Sequence, residues 1–346
     1  MTLGQMTLAD AFLSQAGACR ALGSPFMERL LTLLAQHWPS ESALARRCAE
    51  WTGDIGPGGA SLPLRIAGGL HALVLDGRDV GLSAAYPPAS VSDAKLRKAV
   101  LHALTVHEAF LLDWIESPPQ TNEVRRSAAL IAAAHWIAAR HDLPFVTSEL
   151  GASAGLNLAW DRYALCIGPD RLGPRDAVLT LAPDWTGPVP VTMPITVAER
   201  RGVDLNPLDA RDPAQALRLF AYLWPDQPNR MDLTRAAIGA LDGPPDRGDA
   251  IDWLESRLSA APEGHVHLVY HTVAWQYFPP ASQARGTAMI EAAGGRASET
   301  RPLAWLSMEN DGGTGGAALT LRMWPGDLRI PLGRADFHGR WIRWAG

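Results

Sequence analysis

The feature that most constrains this chain is a change of hydrophobic period near its middle. From Thr7 to about His141 the apolar residues recur at helical spacing, whereas beyond it they fall into short runs separated by Gly, Pro and Asp. In the first part Thr7 is placed to cap a helix with Asp10 three residues on, Gly23 to end it, and Ser24-Pro25 to start the next. Further helices are expected over 42–51, 63–75, 93–115 and 123–141. The last contains AALIAAAHWIAA, which is too short for a bilayer span, holds His135 and is flanked by Arg125, Arg126 and Arg140, so a buried core helix is expected.

In the second part strands are expected over 144–150, 197–205, 266–274, 302–308, 318–324 and 337–344, the last two as a hairpin, with helices over 213–223, 233–241, 250–258 and 282–292. Strands alternating with helices predict an α/β fold, a mostly parallel sheet covered on both faces. The stretch 163–196 breaks the alternation and reads as an insertion of short strands and turns. At 346 residues about two domains are expected: residues 1–141, all-helical and cap-like, and residues 142–346, carrying the sheet.

Composition narrows the function classes. With 31 Lys plus Arg against 36 Asp plus Glu the net charge is −5, which disfavours nucleic acid as a partner and leaves a small molecule or a protein as the expected substrate. Cys19, Cys48 and Cys166 have no CxxC spacing, so neither a disulfide framework nor a thiolate metal site is expected. No apolar run approaches the ~18 residues of a membrane span, and the start has no basic segment before its apolar stretch. A cytoplasmic protein is expected; the oligomeric state is not legible.

The chemistry-bearing residues gather at expected strand ends. In FVTSELGASAGLNL a β-branched strand ends at Glu149 and is followed by Gly151, Ser153, Gly155 and a helix-like run, a grammar shared by nucleotide sites and by plain tight turns. In RRGVDLNPLD, Asp204 and Asn206 follow an apolar run; an acid there can accept ribose hydroxyls, or it can cap a helix together with Asp209. Asp249 in DRGDA can lie near an adenine amine or serve as an N-cap. HVHLVYHTVAWQYF emerges into His271, Thr272, Gln276 and Tyr277, where a second substrate would sit beyond the strand ends, although a satisfied buried histidine also fits His271.

The order of these four pieces is similar to that of class I S-adenosylmethionine-dependent methyltransferases, over roughly Pro144 to the C-terminus. The two leading motifs are separated by 204 − 151 = 53 positions, where a plain βαβ unit needs ~30 residues; the 163–196 insertion accounts for the excess and leaves the first crossover helix short. The whole chain resembles the bacterial family domain of unknown function 2332, through SPF at 24–26, QTNEVRRSAAL at 120–130, ELGASAGLNL at 149–158, DRY, RRGVDLNPLD and FHGRWIRW. That family carries no known activity; the resemblance implies a helical N-terminal region fused to a Rossmann-like part. The methyltransferase resemblance implies S-adenosylmethionine as cofactor, held by Glu149, Gly151, Ser153, Gly155, Asp204, Asn206 and Asp249. His271 and then Glu123 are the candidate bases, and Asn122, Arg126, Gln276, Tyr277, Glu309 and His338 are candidates for the acceptor pocket.

Two other classes remain open at this point. GASAG matches G-x-S-x-G, the nucleophile elbow of α/β-hydrolases, with Ser153 as nucleophile and Asp249 or Asp311 and His338 following in chain order, although no HGG-type segment precedes it. A binding module that keeps a nucleotide fold without catalysis is the third.

Overall fold

The computed structural model describes residues 6–346 and is mixed α/β, with a nine-stranded sheet, a three-stranded sheet and helices. In chain order it has α1 (Leu8–Ala21), α2 (Pro25–His37), α3 (Ala43–Ala49), α4 (Leu62–Leu75), α5 (Val80–Ser83), α6 (Asp93–Val106), α7 (Glu108–Ile115) and α8 (Ser127–Ala138). There follow β1 (Phe145–Leu150), β2 (Tyr163–Ile167), β3 (Asp170–Leu172), β4 (Leu179–Leu181), β5 (Asp184–Thr186) and β6 (Val197–Asp204). Then come α9 (Pro213–Ala221), α10 (Pro228–Gly239), β7 (Asp246–Arg247), α11 (Ala250–Ser259), β8 (Val266–Thr272) and α12 (Pro280–Gly294). β9 (Leu303–Glu309), β10 (Ala317–Trp324), β11 (Leu328–Ala335) and β12 (Trp341–Trp344) close the chain. Two compact units result: Met1–Thr121 with Asp212–Asp232, and Asn122–Arg211 with Leu233–Gly346. A single boundary is expected at 141/142; in the structure α8 belongs to the unit that carries the sheet, and α9 to the unit of the helices that precede Thr121.

The elements described in the first unit are helices, and its core is built from Phe12, Leu30, Leu34, Leu44, Ile66, Leu70, Val100 and Leu111 among others. The expected caps are present. Thr7 and Asp10 form a reciprocal capping box, and Ser24 Oγ takes the Met27 N–H with Pro25 in the first turn. The span 93–115, expected as one helix, breaks at His107, where the backbone leaves helical geometry between α6 and α7.

In the second unit the main sheet runs β7-β6-β1-β8-β9-β10-β11-β12-β5. β7, β6, β1, β8 and β9 are parallel, β9 to β12 form an antiparallel meander, and β5 adds to β12 in parallel. β1 and β8 are buried along their whole length, as expected of strands covered on both faces. Leu150, Val203, Val269, Leu303, Leu254 and Ile290 pack on one face with α11 and α12. On the other, α8 lies against β2, and Phe145 meets Trp160 edge-on at 6.3 Å. α8 is buried except at Trp136, and no helix among the described residues is long and apolar enough to cross a membrane.

Two expectations are corrected. The last hairpin is not 318–324 with 337–344: β10 pairs first with β11, and β12 then pairs with β11. β11 escaped the sequence pattern because Pro331 interrupts it and Leu332 bulges between Gly333, opposite Leu319, and Pro331, opposite Thr320. The helix-like run after Gly155 is not an α-helix. Between β1 and β6 the chain makes turns, one 3-10 turn at Trp160–Arg162, and a separate three-stranded sheet in the order β3-β2-β4.

Candidate functional site

Polar side chains gather where β1, β6 and β8 end. In the parallel part of the sheet the chain runs from β1 outward to β6 and β7, then returns to β8 and β9 on the other side, so the strand order reverses between β1 and β8. In open α/β sheets the crevice beyond the carboxyl ends at such a reversal is where ligands lie.

Glu149 is the next-to-last residue of β1. By the two-residue period of a strand it shares a face with Thr147 and Phe145, toward α8 and the small sheet. It is 1% exposed, and its Oε2 has no hydrogen-bond partner among the described residues. Burial pushes its carboxyl well above the ordinary value, the Asp204 charge adds to the rise, and Arg126 and the neighbouring Tyr270 hydroxyl offset only part of it. Close by, the Nδ2 of fully buried Asn157 is a donor without an acceptor. Buried polar groups nearly always have partners, so an orphan acceptor and an orphan donor in one cluster mark a place built for something further.

The loop after β1 is held from several directions. Gly151 and Ala152 both donate to the Val203 carbonyl at 3.0 Å. Ser153, at φ +53°, donates its N–H to Asp204 Oδ2 at 2.9 Å, and its carbonyl accepts from Leu208. Asn122 Oδ1 accepts from the Leu156 N–H at 2.8 Å, Ser127 Oγ donates to Asn157 Oδ1 at 2.7 Å, and the hydroxyls of Tyr163 and Tyr270 donate to the carbonyls of Leu156 and Asn157. Gly151 has φ +73°, and a Cβ there would lie 2.6 Å from the Ala274 Cβ, so the loops after β1 and β8 touch at a point only glycine permits.

Asp204 ends β6. Its Oδ1 accepts from the Asn206 N–H at 2.8 Å while Oδ2 holds Ser153, and each oxygen keeps a second lone pair. Leu205, the next residue, is 65% exposed. Asn206 is exposed and takes a hydrogen bond from Arg247. Asp249 follows Gly248, whose N–H meets the Asp204 carbonyl, but its Oδ1 caps α11 by accepting from Ile251 and Asp252.

His271, at the end of β8, has both ring nitrogens engaged. The Trp305 indole N–H donates to Nε2 at 3.0 Å, which places the ring hydrogen on Nδ1, given to Glu309 Oε1 at 2.8 Å; the ring also stacks on Trp275. Both nitrogens of the ring expected to act as a base are thus already engaged by protein groups. Glu309 holds the following loop, accepting the N–H groups of Ala274 and Trp275 on Oε1 and of Gln276 on Oε2. Burial alone would raise its carboxyl; the His271 bond and these N–H groups outweigh it and hold the carboxyl below the ordinary range.

Arg126, 7% exposed, donates to the carbonyls of Thr272 and Phe337, tying the end of β8 to the turn that carries His338. Glu123 is buried and pairs with Arg125 at 2.9 Å. Gln276 turns its Oε1 to the Asn310 N–H, and Tyr277 is 62% exposed. Glu149, the Gly151–Gly155 loop, Asp204 and Arg126 are therefore brought together, while Asp249 and Gln276 are turned to local tasks. Sequence reasoning missed Tyr270, Asn157, Tyr163 and Trp305. For Tyr270 a signal existed: across the paired register it lies beside Glu149 with its polar tip deep in an apolar strand.

The elbow geometry is met in part. Ser153 is in the left-handed region, but no helix follows it. The acids that chain order offers are held elsewhere: Asp249 on its cap, and Asp311 by two 2.9 Å bonds from Arg334. The carboxylate that meets the His338 backbone N–H is Asp336, itself paired with Arg340 at 2.7 Å.

No curated protein and no solved structure matches the chain. One family does, over residues 9–344, and the chain belongs to it: the uncharacterized proteins conserved in bacteria designated DUF2332.

Proposed function

We propose that the second unit is a Rossmann-like, class I methyltransferase-like module that binds S-adenosylmethionine and transfers its methyl group to a small-molecule or protein acceptor. The observation that carries the reading is the buried, unpartnered carboxyl oxygen of Glu149 on β1, electrostatically coupled to Asp204 on β6 and set at the reversal of strand order. The part of the sheet running β7-β6-β1-β8-β9 supports it, since a nucleotide-binding doubly wound sheet has the same order. The antiparallel β10–β12 and the helix-free first crossover depart from that plan.

In this reading Glu149 meets the donor groups of the amino-acid end, the free lone pairs of Asp204 take ribose hydroxyls, and Leu205 offers an apolar surface to the base. The glycine loop lets backbone approach closely. The cofactor, when bound, supplies an electrophilic methyl on sulfur. The protein's contribution is alignment of acceptor and methyl, because His271 is committed to Trp305 and Glu309 and Glu123 to Arg125.

The test is calorimetric titration of the full chain with S-adenosylhomocysteine, in wild type, Glu149→Gln and Leu205→Asp. The expected result is wild-type binding weakened at least ~10-fold, about 1.4 kcal/mol, in each variant. Absence of wild-type binding at about 1 mM ligand overturns the reading. The left-handed backbone of Ser153 is the one observation favouring a serine hydrolase; labelling of Ser153 by a fluorophosphonate would put that reading in place of ours.

A further inference from the structure

A cavity opens at the amino ends of the same sheet, where β8 and β9 begin. It measures about 210 Å³ and lies among the last residues of α11 and α12 and the turn that leads into β9. Leu258, Ala293, Ala297 and Leu303 make its walls apolar, and His267, Arg296 and Arg301 complete its lining.

His267 is the informative residue. It is 2% exposed, and its Nε2 lies 2.9 Å from Ser148 Oγ. Ser148 Oγ already accepts from Arg257 Nε at 3.1 Å, and a guanidinium can only donate. The single hydroxyl hydrogen of Ser148 is therefore the one pointing at Nε2, and the ring hydrogen sits on Nδ1. Burial, with the Arg257 charge adding to it, lowers the ring to about 3, so it stays neutral and the tautomer stays fixed at ordinary pH. The Nδ1 atom has no partner among the described residues. A buried N–H left unpaired costs about 1–3 kcal/mol, a cost removed when an acceptor enters. Arg296 is exposed, and its guanidinium has no partner among the described residues; Arg301 reaches only the Arg296 carbonyl, at 3.4 Å. The terminal carbonyls of α12 do not call for Arg296, since those of Glu291, Ala293 and Gly294 accept from Gly295, Arg296 and Ala297 backbone N–H groups.

We propose that this cavity binds a small oxyanion carried on a short apolar group, a carboxylate or a phosphate monoester, with the oxyanion taken by the His267 Nδ1–H and the two guanidinium groups and the apolar part against Leu258, Ala293 and Leu303. A fixed neutral donor at depth and two permanent cations suit an acceptor-only head, and the alanine and leucine walls leave the tail nothing polar to meet. The site stands at the amino ends of the strands, so it does not depend on the reading of the carboxyl ends.

The experiment follows the ring nitrogens of His267 by NMR in the full chain during titration with butyrate, butyl phosphate and inorganic phosphate, with calorimetry in parallel, in wild type, Arg296→Gln and Arg301→Gln. The expected result is saturable binding of butyrate or butyl phosphate with a dissociation constant of about 1 mM or tighter, a shift of the His267 Nδ1 resonance, and affinity at least ~10-fold lower in each variant. Which of the two binds names the head group. Saturation by inorganic phosphate equal to that by butyl phosphate overturns the role given to the apolar walls. No binding by any probe, or binding indifferent to Arg296→Gln, whose exposed side chain makes no structural bond, overturns the proposal.

Discussion

Replacing Glu149 by Gln isolates the energetic consequence of burying an acid at the end of β1. In the native chain burial raises its carboxyl well above the ordinary value of 4.5, whereas in the unfolded chain the ordinary value applies. Between the two values the native state keeps a proton that the unfolded state has lost, so the unfolded state binds fewer protons and stability falls as pH rises. The loss begins at 4.5, grows by at most about 1.4 kcal/mol per pH unit, and stops at the native value. Glutamine is nearly isosteric with the protonated acid and carries no such slope. Buried histidines act in the other direction: His71 and His135, lowered to about 4, and His267, lowered to about 3, cost stability as pH falls below 6.5. They are present in both proteins and cancel in the difference. The assay is hydrogen exchange of the Val146 and Ser148 amides in wild type and Glu149→Gln, which reports opening of the sheet itself. The variant is expected to match wild type near pH 4.5 and to gain on it steadily above. A difference that stays constant with pH would refute the assignment of a protonated Glu149.

Two further outcomes follow from the loops that meet above β1 and β8. Gly151→Ala is expected to lose about 1–2 kcal/mol to its left-handed backbone and a further ~1–3 kcal/mol to the Ala274 contact. Adding Ala274→Gly should restore only the second part in a chemical-unfolding measurement, and full restoration would show that φ +73° carries no strain. Glu309→Gln weakens hydrogen bonds to a charged group, each worth about 1.5–3 kcal/mol, so the Ala274 and Trp275 amides should exchange at least ~10-fold faster while those inside β8 do not change. Equal protection in the variant would mean that the loop is held by something other than this carboxylate.

The chain's own pattern determined a good deal. The switch from a 3.6-residue to a short-run period separated the helices before Thr121 from the strands after Pro144, because period follows from which face each element must bury. Caps at Thr7, Ser24 and Asp249 were legible for a similar reason, since a short polar side chain before a helical run has one nearby set of orphan N–H groups to satisfy. Glu149 and Asp204 could each be placed at the end of a strand from local spacing; that the two strands lie side by side is shown by their paired register. What spacing could not say is which of a residue's possible partners it meets. That Trp305 and Glu309 occupy both nitrogens of His271, and that Glu149 and His267 are each left with an unsatisfied atom, depends on strands far apart in sequence lying side by side. Hydrogen-bond satisfaction belongs to the packed neighbourhood, and only the tertiary structure creates that neighbourhood.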